Sequence, residues 1–173
     1  MGAMRRALKS LLFLATLALG SALAQGSWVS LRGGLAAGGT AAYGFAGSLD
    51  LELEWLDPTL GVYPRGSVAY LFGVETLFSG PLLGVLFEGG GVLYSNNDRT
   101  GLFGAVRGGG GVLVQGGSGV FVTTLGLSAG YRLADGPLEL GLEGGLRVTT
   151  TEYSDVTVLE FSPRVRLSAG VRF

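Results

Sequence analysis

The sequence predicts an all-β fold: eight antiparallel strands in up-and-down order, joined by short loops and closed into a transmembrane β-barrel. Three observations predict it. Apolar and polar residues alternate with a period of two, which sends them to opposite faces of a strand. The 173 residues are 47% hydrophobic and only 14% charged, with a mean hydropathy of +0.47. That is too apolar for a small soluble domain. Yet past residue 25 no stretch stays apolar for the roughly 18 residues a membrane helix needs. The 33 glycines also argue against long helices.

Residues 1–24 read as a secretory signal peptide. Arg5, Arg6 and Lys9 precede an apolar core over residues 11–19, and Ala22-Leu23-Ala24 forms a small-x-small cleavage site. The expected mature chain, residues 25–173, is a single barrel domain. Without the leader, nine Arg and no Lys face 13 acids, a net charge of −4. No basic patch is left to neutralise phosphates, so nucleic acid is not an expected partner.

The strands follow in order. Residues 28–37 set Val29, Leu31 and Leu35 against Ser30 and Arg32. Residues 43–54 set Phe45, Leu49, Leu51 and Leu53 against Asp50, Glu52 and Glu54. Residues 62–72 set Val68, Tyr70 and Phe72 against Arg65 and Ser67. Residues 82–94 are the least regular: Leu83, Val85 and Phe87 oppose Glu88, but Leu82, Leu86 and Val92 share the Glu88 face. A bulge at Gly89-Gly90-Gly91 would reset that register. Residues 102–114 set Leu102, Val106, Val112 and Val114 against Arg107, and 121–133 set Leu125, Leu127, Tyr131 and Leu133 against Thr124, Ser128 and Arg132. Residues 137–149 set Leu138, Leu140, Leu142 and Leu146 against Glu139, Glu143 and Arg147. The last strand, 161–173, sets Phe161, Val165, Leu167, Ala169, Val171 and Phe173 against Arg164, Arg166, Ser168 and Arg172.

Alternation alone fits a soluble barrel as well as a membrane one. Three features favour the membrane. Charges of both signs sit mid-strand: Arg32, Asp50, Glu52, Glu54, Arg65, Glu88, Arg107, Arg132, Glu139, Glu143, Arg147, Arg164, Arg166 and Arg172. These are expected to form a lumen network, for which the planar fork of Arg suits paired carboxylates. Aromatics gather toward strand ends as two girdles. Trp28, Trp55, Tyr63, Tyr94, Phe103, Tyr131 and Phe173 fall at one end, and Tyr43, Tyr70, Phe72, Phe78, Phe121 and Tyr153 at the other. Strands of about 10–13 residues match the roughly 9–11 tilted residues that cross a bilayer.

The final segment, Arg164-Val-Arg-Leu-Ser-Ala-Gly-Val-Arg-Phe173, resembles the carboxy-terminal targeting strand of bacterial outer-membrane proteins. The resemblance implies that Val165, Leu167, Ala169, Val171 and Phe173 are the assembly signal read by the barrel assembly machinery. The whole mature chain resembles small eight-stranded barrels of the outer membrane protein A transmembrane-domain type. That implies a cell outer-membrane location in a Gram-negative-type envelope, outer-membrane lipid as the surrounding partner, and a monomer.

The chain has no Cys and no His. This removes thiolate chemistry, the commonest metal ligand and the commonest general base. Outer-membrane acyl-modifying barrels, by resemblance, would need a His with a Ser. The glycine runs 89–91 and 108–111 lack the Lys-Ser/Thr of a phosphate loop, and Ser95-Asn96-Asn97-Asp98 lacks the carboxylates of a calcium loop. No catalytic, metal or cofactor residues are expected. The leading expectation is a non-enzymatic structural barrel, or at most a narrow channel. A surface interaction or adhesion module is the alternative. A soluble periplasmic barrel carrying an apolar ligand would require every strand to be turned inside out.

Overall fold

The computed structural model describes residues 28–40, 44–56, 61–73, 82–115, 118–153 and 156–173. The expected signal peptide, Tyr43 and Phe78 lie outside the described residues, as do the side chains of Trp28 and Tyr153. The strands are β1 (Trp28–Thr40), β2 (Gly44–Leu56), β3 (Tyr63–Gly73), β4 (Leu82–Tyr94), β5 (Gly101–Gln115), β6 (Ser118–Asp135), β7 (Leu138–Tyr153) and β8 (Val156–Arg172). Each pairs antiparallel with its sequence neighbours, and β8 returns to β1 to close the barrel. Closure gives every strand two partners among the described ladders, the arrangement that lets a sheet satisfy its backbone groups without water.

Following paired residues around the wall shows how far the strands lean. The line starts at Ser30 and runs through Glu54, Arg65, Gly90, Arg107, Gly126 and Arg147 to Ser162. Ser162 lies two residues past Arg164, which pairs with Gly38. The line therefore re-enters β1 level with Thr40, ten residues beyond its start. This stagger goes with the strong strand tilt of a narrow barrel.

The chain's alternation sorts the two faces. Leu127, Phe121 and Phe161 are 66%, 63% and 65% exposed, whereas Arg32, Glu52 and Glu54 are 0% exposed. The apolar coat faces out and the charges are enclosed. An inverted soluble barrel with Leu and Phe inside is contradicted by this pattern. Val29 departs from it: it is on the outward parity yet buried, next to the seam where its backbone bonds Phe173.

One expectation about β4 is corrected. The Gly89–Gly91 run carries no bulge: β4 pairs residue for residue with β5, from Leu82↔Gln115 to Tyr94↔Phe103. Leu86 and Val92 keep the parity of Glu88 and are buried in the lumen. The glycines let strands coil by removing side chains where the wall is concave. A Cβ on Gly90 would strike the Val106 carbonyl oxygen, and one on Gly109 that of Phe87. Each of these glycines sits across from a large lumen residue, Gly90 from Arg107 and Gly109 from Glu88. Small opposite large is how a narrow lumen fills.

Strands β6, β7 and β8 have 18, 16 and 17 residues, longer than expected. The β7–β8 ladder continues to Tyr153↔Val156, while β8 pairs with β1 only as far as Gly38↔Arg164. Residues 156–163 thus pair with β7 alone among the described ladders. Pro163 stands at the break. The Phe173 amide bonds Val29 on β1 and the Arg172 amide bonds Pro137 beside β7, so by alternation Pro163 shows its nitrogen to the β1 side. A residue without an N–H fits where the ladder stops.

Candidate functional site

Every charged residue that the sequence assigns to the lumen faces it, and the barrel brings them into one ion-pair lattice. The lattice is built from cross-strand neighbours. Arg32 pairs in register with Glu52, Glu54 with Arg65, and Glu143 with Arg166. Longer links then cross the lumen. Arg65 reaches Glu143 at 3.2 Å and Arg107 reaches Glu52 at 3.2 Å.

Glu54 is the hub near the end where β1 starts and β8 finishes. It accepts hydrogen bonds from Arg32 and from the Arg65 Nε at 3.2 Å. Arg132 donates twice to it, at 3.0 and 3.2 Å, and the Tyr94 hydroxyl donates at 2.5 Å. Beside it, Glu139 accepts from Ser30, from Arg32 at 3.2 Å and from the Arg172 Nε at 2.8 Å. At the other side of the lattice, Glu88 accepts from Arg147 Nη2 at 2.9 Å and from Thr124 at 3.1 Å. Asp50 holds Arg166 and, at 3.3 Å, Arg164. Multiple bonds per carboxylate are what make enclosed charges tolerable, since an unpaired one would be very costly.

Both ends of the lattice are capped. At the Glu54 end, the rings of Tyr63 and Tyr94 lie 5.7 Å apart, and those of Tyr94 and Phe103 5.8 Å apart. The Arg132 guanidinium lies 4.8 Å from the Tyr94 ring centre, and Arg65 lies 5.3 Å from that of Phe103. This corrects the girdle expectation for Tyr63, Tyr94 and Phe103. Their parity turns them inward, where they stack with Arg, while Tyr131 and Phe173 are exposed on the outside. At the opposite end Ala69, Leu71, Leu86, Leu113 and Val122 form an apolar plug. A cavity of about 70 Å³ lies over it, lined also by Arg147 and Arg164.

The turn after β4 seals the aromatic end. Asn96 accepts from the Arg99 amide at 3.1 Å. Arg99 and Gly101 take left-handed backbone conformations, with φ of 59° and 76°. Arg172 reaches up to the Asp98 carbonyl at 3.2 Å. Hydrogen bonds from the Thr100 side chain and amide hold the exposed Asp98 carboxyl below the usual aspartate range. The segment is a turn, and among the described residues no group of His, Cys, Asp or Glu could hold a metal ion.

The sequence reading missed Glu160, and it placed Ser30, Thr124 and Ser128 on the polar face without giving them partners. Glu160 is buried. The expected last strand began at Phe161, although Leu159-Glu160-Phe161 already alternates. Ser30, Thr124 and Ser128 bond lattice carboxylates, but hydroxyl residues on a polar face give no sign of which one will. Of the expected assembly signal, Val165, Leu167, Ala169 and Val171 lie on β8 and Phe173 directly follows it. Val165, Leu167 and Phe173 are exposed on the outer wall, and Phe173 closes the seam through backbone bonds to Val29 of 3.0 and 2.9 Å.

No family model and no curated protein matches the sequence. Solved structures match in three dimensions. The crystal structure of Neisserial surface protein A aligns with a TM-score of 0.56 and 13% identity, over 86% of this chain and 97% of that one. A de novo designed transmembrane β-barrel aligns with a TM-score of 0.47 and 15% identity, over 83% and 95%. Ail, the attachment invasion locus protein of Yersinia pestis, aligns with a TM-score of 0.45 and 16% identity, over 85% and 97%. At 13% identity the likeness to the Neisserial protein is one of fold: the chain has the closed eight-stranded antiparallel fold of small outer-membrane β-barrels.

Proposed function

We propose that the protein is a structural barrel of the outer membrane that acts as a surface interaction module and does not conduct solutes. The observation that carries this is the filled lumen: a lattice of buried Arg–carboxylate pairs between an aromatic cap and an aliphatic plug. A solute would have to break several enclosed ion pairs to pass, and breaking one such pair costs about 3–5 kcal/mol. Purified protein in planar bilayers should give no steady open conductance. A large, stable conductance would overturn the reading.

With the interior closed, interaction falls to the ends and the outer wall. The connections are short, but the β7–β8 hairpin supplies area that the loops do not, since residues 156–163 pair only with β7 among the described ladders. The solved barrel of comparable fold is itself described as a surface protein, which supports the reading by analogy of fold. On this proposal residues 1–24 are removed on export, the β8 segment ending at Phe173 is read by the assembly machinery, and the barrel is a monomer in outer-membrane lipid. The native chain has no Cys, so single cysteines report topology cleanly. Thr157→Cys should react with an impermeant maleimide on intact cells. Ser95→Cys should react only after the outer membrane is opened. The reverse pattern would refute the orientation.

A further inference from the structure

Inside the lattice lies a small chamber of about 30 Å³, lined by Arg107, Arg147, Arg164 and Arg166 with Glu88 and Glu143. We infer that this chamber is a binding site for one small inorganic anion of the halide class, chloride under ordinary conditions.

Three observations converge on it. The first is charge. Among the described residues the lumen carries eight Arg: Arg32, Arg65, Arg107, Arg132, Arg147, Arg164, Arg166 and Arg172. It carries seven carboxylates: Asp50, Glu52, Glu54, Glu88, Glu139, Glu143 and Glu160. Four of the eight guanidiniums line this one chamber with only two carboxylates, Glu88 and Glu143; the other carboxylates that pair with them, Asp50 and Glu52, lie outside its lining. Buried charges need compensation.

The second is an unmet donor. Arg107 is only 6% exposed, and its Nε is buried without a hydrogen-bond partner. Its Nη2 is taken up by Glu143 at 2.6 Å and Glu52 at 3.2 Å. A buried unsatisfied donor on a cation is unfavourable, and an anion in the chamber would satisfy it.

The third is space left by absent side chains. Gly126 and Gly145 form the wall side of the chamber. Gly126 sits in register between Arg107 on β5 and Arg147 on β7. A Cβ at Gly126 would meet only the Leu146 carbonyl oxygen, at 3.5 Å. The wall could therefore carry a side chain there without strain. The volume of about 30 Å³ is close to one water's share of the liquid, which favours a monatomic anion over phosphate and organic anions.

The test uses the mature chain folded in phospholipid vesicles. Unfolding is followed by urea titration at constant ionic strength, exchanging chloride or bromide for isethionate, which is too large for the chamber. Halide should stabilise the barrel, with the folding equilibrium rising by up to about tenfold per tenfold halide above the dissociation constant. Gly126→Asp places a carboxylate between Arg107 and Arg147 and should replace the ion, giving a barrel that is more stable without halide and indifferent to its addition. If that variant does not fold, Gly126→Ala, which narrows the chamber, should weaken the halide response. Crystals grown in bromide should show an anomalous peak beside Arg107. Halide-independent stability of the native chain, water at that position in bromide crystals, or an unchanged halide response in Gly126→Asp or Gly126→Ala would each overturn the assignment.

Discussion

Asp50 on β2 and Arg166 on β8 form a two-pronged ion pair across β1, a strand to which neither belongs. The Arg166 Nε lies 3.0 and 2.9 Å from the two carboxylate oxygens, and Nη2 also bonds Oδ1. The pair passes directly over Gly34. A Cβ at Gly34 would stand 2.7 Å from both the Arg166 Nε and the Asp50 Oδ1. The absent side chain is what lets two residues separated by 116 positions meet.

Gly34→Ala should therefore destabilise the barrel by about 1–3 kcal/mol, the range for overpacking a filled interior. Gly104→Ala is the control, because a Cβ there meets nothing within 4 Å, and its effect should stay within about 0.5 kcal/mol. Urea unfolding in vesicles, followed by the fluorescence of Trp28 and Trp55, measures both. Equal effects would show that the Gly34 crossing is not tight.

Glu54 holds Arg32, Arg65, Arg132 and the Tyr94 hydroxyl together. Glu54→Gln should cost about 3–5 kcal/mol, since it leaves buried guanidiniums short of counter-charge. Adding Arg132→Met should recover part of the loss by removing one stranded cation. A double variant no more stable than Glu54→Gln would mean that Arg132 is compensated elsewhere.

Leu127 lies in the middle of β6 and points outward. Leu127→Arg should cost about 2–4 kcal/mol in a bilayer, the penalty for a lipid-facing Arg at the midplane of a barrel. The same substitution on a water-facing wall would be nearly neutral. A neutral result in vesicles would place that wall outside the hydrocarbon.

Phe173→Ala keeps the backbone bonds to Val29 and removes only the ring. If the ring is part of an assembly signal, the yield of folded, heat-modifiable barrel in cells should fall several-fold. Refolding into synthetic vesicles without assembly proteins should change little. Equal losses in both settings would make Phe173 a stability residue only.

Much of the architecture was legible in the sequence because side-chain direction in a strand depends on parity alone. Leu138 to Val148 and Glu139 to Arg147 could be assigned to opposite faces without knowing any neighbour, and β7 carries them so. Residues 82–94 misled for a physical reason. Leu86 and Val92 are apolar and inward-facing because the lumen is not uniformly polar. It ends in an aliphatic plug and an aromatic cap, and residues there have the same chemistry as the lipid coat. Tyr63, Tyr94 and Phe103 were mistaken for girdle residues on the same grounds. Proximity to a strand end does not say which way a ring turns; parity does, and Tyr63 shares that of Arg65, Tyr94 that of Glu88 and Phe103 that of Arg107.

The sequence by itself determined the strands, their alternation, the sign and type of the lumen charges and the absence of Cys and His. These are local properties, fixed by residue identity and a period of two. The tertiary structure alone decided which charge meets which. Asp50 finds Arg166, and Glu54 finds Arg132, only because closure staggers the wall by ten residues and brings β8 against β1. No spacing within a strand encodes that offset. It arises from the tilt a narrow barrel must adopt to close, and it sets which charges meet across the lumen.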